Sequence, residues 1–189
     1  VELRREVLDV RRIVEQVVLA SRPLLESLHH QLQVTLDGEA LWVDGDPTRL
    51  HQIVVNLMNN AAKYTDSGGR IAVSAMAADA AVVIEVRDTG IGLAPDSADK
   101  VFELFAQIQP AGRGRSGLGI GLAVVRRLVE LHGGHIDAHS AGLGHGRRPL
   151  RRKPFLRCGA GSGSGMGVFP LRPELRALLL SQPRRRASR

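Results

Sequence analysis

Three polar residues on one predicted helix carry the first recognisable chemistry. Asn56, Asn60 and Lys63 recur at steps of four and three, so they share a helix face. Leu50, Ile53, Val54, Leu57, Met58 and Ala61 form a separate apolar stripe on the same helix. The side-chain carbonyl of Asn60 is a hard oxygen ligand of the kind Mg²⁺ accepts while keeping waters and substrate phosphates as its other ligands. The same polar residues also suit a plain solvated helix face. Asp88 offers a second chemistry. It closes a predicted strand and precedes Thr89-Gly90-Ile91-Gly92. Its carboxylate can accept a hydrogen bond from the exocyclic amine of adenine, a donor that guanine lacks at that position, and the glycines let backbone approach a flat base. An ordinary strand-ending turn would use Asp-Thr-Gly equally well. The third group is Gly117, Gly119 and Gly121, ahead of an apolar helix. Backbone amides at a helix start, with the positive dipole end behind them, suit phosphate oxygens; a flexible glycine hinge is the plainer alternative. The spacing is not that of a P-loop, since no Gly-Lys-Ser/Thr follows, nor of a Rossmann turn, since no strand precedes it.

The elements that must position these residues follow from periodicity. Leu3, Val7, Val10, Val14, Val17, Leu24 and Leu28 predict one long amphipathic helix, disturbed near Pro23. Residues 33–36 and 40–43 predict short strands around an Asp37-Gly38 turn. Asp46-Pro47-Thr48 is a capping Asp followed by Pro in the first turn, which starts the helix of Asn56 and Asn60. Residues 70–77 and 81–87 predict an antiparallel hairpin. Residues 93–116 form a long irregular stretch with a short helix near 100–105, the pattern of a functional lid or a loop. Leu118, Leu122, Val125, Val129 and His132 predict a helix stopped by Gly133-Gly134, with a strand at 135–140 after it.

One domain is the natural count for 189 residues, with 43% hydrophobic but only 3% aromatic residues to build its core. No run approaches the ~20 apolar residues of a membrane span, and Glu2, Arg4, Arg5 and Glu6 break any signal-peptide pattern. Val1 at the start points to a piece of a longer chain. The single Cys158 cannot form an internal disulfide and fits a reducing compartment as a bland thiol. The net charge of +7 is unevenly held: residues 1–146 carry 14 Lys and Arg against 18 Asp and Glu, while residues 147–189 carry 12 against Glu174 alone. A nucleic-acid reading would therefore rest on the last stretch only.

Taken in series, Asn56-Leu-Met-Asn-Asn-Ala-Ala-Lys-Tyr-Thr65, Asp88-Thr-Gly-Ile-Gly92, Val101-Phe-Glu-Leu-Phe105 and Gly117-Leu-Gly-Ile-Gly-Leu122 resemble the ATP-binding catalytic domain of sensor histidine kinases, within the wider GHKL ATPases. The resemblance covers roughly the first three quarters of the chain. It implies an α/β (α+β) two-layer sandwich, with a mixed, mostly antiparallel sheet and helices on one face, the Bergerat-type ATP-binding fold. It implies a cytoplasmic protein-histidine kinase domain. Such a domain moves the γ-phosphoryl of ATP, with Mg²⁺, to a histidine on a separate dimerisation domain, in a phosphorelay that ends on a response regulator. By motif position, Asn60 touches the metal, Asn56 lines the same face and Lys63 lies near the phosphates; these three are the expected catalytic residues. Tyr64, Asp88, Gly90, Gly92 and Phe105, with Gly117, Leu118, Gly119, Gly121 and Leu122, complete the expected nucleotide-binding set. Phe102 and Phe105 are expected to anchor the lid on the core. None of the seven histidines lies in the family's acceptor motif, a His followed by an acidic residue, a basic residue and Pro, so all seven are expected bystanders and the acceptor hairpin is expected on another segment. No nucleic acid and no membrane contact by this segment are expected. A nucleotide-binding module without transfer activity is the alternative. Another GHKL branch is a further one, against which Asn56 stands, because the hydrolysing branches carry Glu there.

The resemblance fades after Gly146. Where the family continues with a small hydroxyl residue and a last strand, this chain reads Arg147-Arg148-Pro149-Leu150-Arg151-Arg152-Lys153-Pro154. Five of its nine prolines fall beyond Gly146, a composition that buries too little apolar surface to offset chain entropy. The expected organisation is a nucleotide-binding domain over 1–146 and a basic, structureless tail over 147–189, of the sort a shifted reading frame would produce. The terminal strand is then expected to be lost and a sheet edge left open.

Overall fold

A computed structural model describes residues 2–38, 40–78, 81–94, 97, 100–105, 119–140 and, for their backbone, 155–158. The chain runs β1 (Glu6–Asp9), α1 (Val10–Ser27), β2 (Gln31–Leu36), β3 (Trp42–Gly45), α2 (Pro47–Tyr64), β4 (Arg70–Ala78), β5 (Ala81–Asp88), a 3-10 turn at Lys100–Phe102, α3 (Gly121–Leu131), β6 (Gly134–Asp137) and β7 (Phe155–Cys158). Five strands form one sheet in the order β2-β4-β5-β7-β6, and β1 pairs with β3 in a separate ribbon. Only β2 and β4 run parallel; every other pairing is antiparallel. The expected mixed, mostly antiparallel sheet under a helical layer is thus the observed fold. No helix among the described residues is long and apolar enough to cross a membrane.

Alternation on β4 and β5 explains how the layers meet. Ile71, Val73 and Ala75 lie opposite Asp88, Val86 and Ile84 in the ladder. The apolar members of these pairs join one core with Val14 and Val17 of α1, Ile53 and Leu57 of α2, and Val125 and Val129 of α3. Successive strand residues point to opposite faces, so one face of the hairpin belongs to the helices. The α2 start is as expected: Asp46 accepts from the Arg49 amide at 3.1 Å, and Pro47 occupies the first turn. Its buried residues are the expected stripe with Ala62 added.

Three expectations are corrected. Residues before Val10 are not helical: β1 pairs with β3, and Asp9 caps α1 by accepting from Arg11 at 3.0 Å while also taking the Leu41 amide at 2.9 Å. Helix α1 itself contains Pro23 and runs on to Ser27, with Leu25 2% exposed in the core. The two strands flanking Asp37 join different sheets. Asp37 instead extends the β2–β4 edge, its amide donating to the Ala75 carbonyl at 3.0 Å and its carboxylate accepting from Ala77 at 2.9 Å. Finally, the sheet does not stop at Gly146. Phe155–Cys158 pairs with β5 on one side and β6 on the other, Leu156 lying opposite both Ile84 and Ile136. The physical reason is that β5 is buried along residues 81–86, so its backbone groups need a ladder partner on both edges. The rest of the expected tail lies outside the described residues.

Candidate nucleotide-binding site

Helix α2 carries the polar face to the edge of the sheet, and α3 returns across it. The start of α3 meets α2 at Gly121. A methyl group built on Gly121 would stand 3.6 Å from the side-chain nitrogen assigned to Asn60 and 4.0 Å from the side-chain oxygen assigned to Asn56. The α3 N-cap, Ile120, has no side chain to occupy the first-turn amides, and the first N–H groups of a helix have no intrahelical acceptor. Asn56 and Asn60 therefore face a helix start that favours negative charge. Lys63 lies half-buried on the next turn of α2, its ammonium 4.9 Å from the centre of the Tyr64 ring.

Asp88 is set by the turn that follows β5. It is 8% exposed, and its Oδ1 accepts from the Gly90 amide at 2.8 Å. The turn is pressed on the end of α2: the Ile91 amide donates to the Tyr64 carbonyl at 3.1 Å. A side chain at Gly90 would collide with that same carbonyl and stand 2.7 Å from Asp88 Oδ1, so only glycine lets the turn sit there. Gly92 has a positive φ of 79°. Beyond it, Leu93 donates its amide to Ser140 Oγ at 2.8 Å, which ties the loop to the end of β6.

Between these parts lies a cavity of about 110 Å³. Its walls include Leu57, Ala61, Val86, Leu93 and Phe102, with Asn60, Tyr64, Asp88 and Gly92 at its polar points. An apolar slot with one buried carboxylate and a few convergent polar groups fits a flat heterocycle that presents a donor. Of the expected set, Asn60, Tyr64, Asp88, Gly92 and Leu122 line the cavity. Gly90 builds its turn, and Asn56 and Gly121 form the polar end beside it. Gly117 and Leu118 lie outside the described residues. Gly119 takes a φ of 66° and accepts the Phe105 amide at 3.1 Å.

Phe105 departs from expectation. It is 69% exposed and, with a φ of 64°, turns its ring away from the core; Phe102 and Val101, 6% and 7% exposed, pack there instead. Packing at this point uses the 3-10 turn, whose Val101 and Phe102 fall on the inner side, and the left-handed Phe105 follows three residues later. Ala138 and His139 also line the cavity. Nothing local in the sequence marks them, because they reach the site only through the path of β6.

A buried histidine joins the two helices at their other ends. His132 is 0% exposed. Its Nδ1 lies 2.7 Å from the Leu128 carbonyl and its Nε2 3.1 Å from the Asp46 amide nitrogen. A carbonyl can only accept and an amide N–H can only donate, so the pair selects the neutral tautomer with the proton on Nδ1. Burial, the largest influence, and the nearby Arg5 hold this imidazole below its ordinary range, against the pull of the Leu128 carbonyl, Asp46 and Asp44. Burial opposes the Asp46 carboxylate, but the backbone donors of Arg4, Arg49 and Thr48 outweigh it and keep Asp46 below its usual range.

Fold and site together define a two-layer domain in which an apolar cavity with one buried carboxylate meets the start of α3 at Asn60. A profile of the histidine kinase-, DNA gyrase B-, and HSP90-like ATPase family matches residues 45–164. The chain belongs to that family. It is 36% identical over 155 residues to the histidine protein kinase DivJ of Caulobacter vibrioides, covering 82% of this chain and 26% of that protein. Among solved structures it is similar to full-length ShkA in complex with AMPPNP, at 30% identity and a TM-score of 0.66, over 76% of this chain and 29% of ShkA. It shares its fold with the histidine kinase ThkA solved in complex with the response regulator TrrA, at 21% identity and a TM-score of 0.66, over 81% of this chain and 41% of ThkA. The chain spans about a quarter of the length of DivJ.

Proposed function

We propose that this chain is the ATP-binding catalytic domain of a two-component sensor histidine kinase, presenting the γ-phosphoryl of Mg-ATP to a histidine on a separate dimerisation domain. The observation that carries this reading is the position of Asn60, which borders both the Asp88 cavity and the start of α3. In this arrangement Asp88 accepts from the adenine amine, and the aliphatic walls exclude water from the base. The first-turn amides of α3 receive phosphate oxygens, and Lys63 adds positive charge at the rim. Asn60 would hold the Mg²⁺ through its side-chain oxygen, with Asn56 lining the same face. Bound there, the metal ion neutralises charge on the transferring phosphoryl group. The residues of this chain then act by positioning rather than by covalent chemistry.

Asn56 stands where an acid would be needed to activate a water, so the design favours transfer to a partner over hydrolysis. A response regulator is the expected final recipient, and the cytoplasm, where ATP is available, the expected compartment. Calorimetry with Mg-ATP and Mg-GTP tests the binding half. Asp88→Asn should weaken ATP by about 1–3 kcal/mol, the range of a charge-assisted hydrogen bond; equal affinity of the unaltered chain for the two nucleotides refutes the role of Asp88. Radiolabelled ATP tests the transfer half: an added dimerisation domain should take up acid-labile label while this chain stays unlabelled.

A further inference from the structure

The helices that build the phosphate end approach each other closely at two places. At one end Gly121 of α3 faces Asn56 and Asn60 of α2. At the other, His132 just beyond α3 accepts the amide of Asp46, the residue that caps α2. The two helices are therefore antiparallel. From Asp46 to the midpoint of Asn56 and Asn60 is about 18 Å of helix, and from Gly121 to His132 about 16 Å, at 1.5 Å per residue. Leu50, Ile53 and Leu57 of α2 share one apolar core with Val125, Leu128 and Val129 of α3, and apolar packing is non-directional, so it tolerates sliding. The His132–Asp46 hydrogen bond does not. Gly45 makes room for it: a methyl group there would stand 3.3 Å from His132 Cδ2 and 2.9 Å from Leu50 Cδ1. Arg5 closes the same end by donating to the Leu131 carbonyl at 2.8 Å.

We propose that His132 is a positioning residue for the nucleotide phosphates: its hydrogen bond to the Asp46 amide sets the axial register of α3 on α2, and so the placement of the Gly121 amides against Asn56 and Asn60. The inference rests on the nucleotide reading above and adds a residue that touches no ligand. It makes a specific distinction. A slip of the two helices displaces the phosphate end directly, whereas in the base slot α3 supplies only Leu122 to the wall, and the carboxylate of Asp88 is held by its own turn on Tyr64. Misplacement by about 1 Å is enough to lose a large part of a positioned interaction. The effect therefore falls more heavily on ATP than on adenosine.

Two substitutions separate the acceptor from the space it fills. His132→Gln keeps an oxygen near Nε2 that can accept from Asp46, and His132→Asn keeps only a donor near Nδ1. Calorimetry on the chain with Mg-ATP and with adenosine should show the ratio of ATP to adenosine affinity falling about tenfold in His132→Asn, the scale of one hydrogen bond, and recovering to within about threefold in His132→Gln. An unchanged ratio, an equal loss in both variants, or ATP and adenosine weakening together overturns the proposal.

A second measurement needs no substitution. Protonated His132 cannot accept from Asp46, so reciprocity requires that bound Mg-ATP lower the apparent pKa of His132, by up to one unit per tenfold of coupling, and adenosine lower it less. The groups facing the ring are Arg5 before β1, Asp44 on β3 and Asp46 at the α2 cap, and none of them is in the base slot. Direct attraction to the phosphates would act with the opposite sign, raising the pKa. An NMR titration that finds it raised or unmoved by Mg-ATP refutes the positioning role. Failure of the unaltered chain to bind either ligand instead refutes the nucleotide reading on which the proposal stands.

Discussion

Gly121→Ala separates folding from binding in one substitution. Gly121 opens α3 with φ outside the left-handed region, so alanine fits its backbone. Among the described residues the added methyl group meets only Asn60 at 3.6 Å and Asn56 at 4.0 Å, both ordinary contact distances. Nothing must move, and alanine in place of glycine favours a helix by up to about 1 kcal/mol. A chain of this size should then melt unchanged or up to about 4 °C higher. The same methyl group fills the gap between the α3 start and the two asparagines, where phosphate oxygens and their metal ion are proposed to lie. Overfilling a site by one methyl group costs about 1–3 kcal/mol, which corresponds to a loss of Mg-ATP affinity between about fivefold and 150-fold. Adenosine, which does not reach that gap, should bind as before. Thermal melts with calorimetry on both ligands make the test. Full Mg-ATP affinity in a stably folded Gly121→Ala chain refutes the placement of phosphates between α3 and Asn60.

Two further outcomes concern stability. His132 is held below its ordinary value of 6.5, so the unfolded chain binds more protons in the interval between the two values and stability rises with pH there. Its contribution is complete above 6.5 and is lost as pH falls through the lowered value; Asp46, also held low, adds a second loss beginning below its ordinary 3.8. Urea melts from pH 7.5 to 5 should show the first loss in the unaltered chain and its absence in His132→Gln. The domain boundary is tested by truncation. A chain ending at Cys158 should melt near the full-length temperature, and one ending at Gly146 several degrees lower, because it leaves the facing ladder edges of β5 and β6 unpaired. Equal melting of the two truncations would remove β7 from the folded unit.

Most of what the sequence by itself determined is local. The Asp46-Pro47 start of α2, its apolar stripe and the opposed polar face of Asn56 and Asn60 are written in a 3.6-residue period. The β4–β5 hairpin is written in alternation, and the end of α3 in Gly133, whose φ is 78°. Asp88 was legible for the same reason, since a carboxylate and two glycines at the end of a strand specify a turn without reference to the rest of the chain. What tertiary structure decided is which distant segments pair. Residues 6–9 satisfy a helix pattern as readily as a strand; β3, more than thirty residues later, selects the strand. Four β-compatible residues at 155–158 are hidden by the arginines and prolines around them, and become a strand because β5 needs a partner on its second edge. Phe105 has the composition of an anchor but lies three residues beyond the 3-10 turn in a left-handed conformation and is exposed. His132 shows the division most plainly. Its place at the end of a helix can be read from periodicity, but its partner, the Asp46 amide, lies 86 residues away. A side-chain period encodes which face is buried; only the closed fold determines which buried donor meets which acceptor.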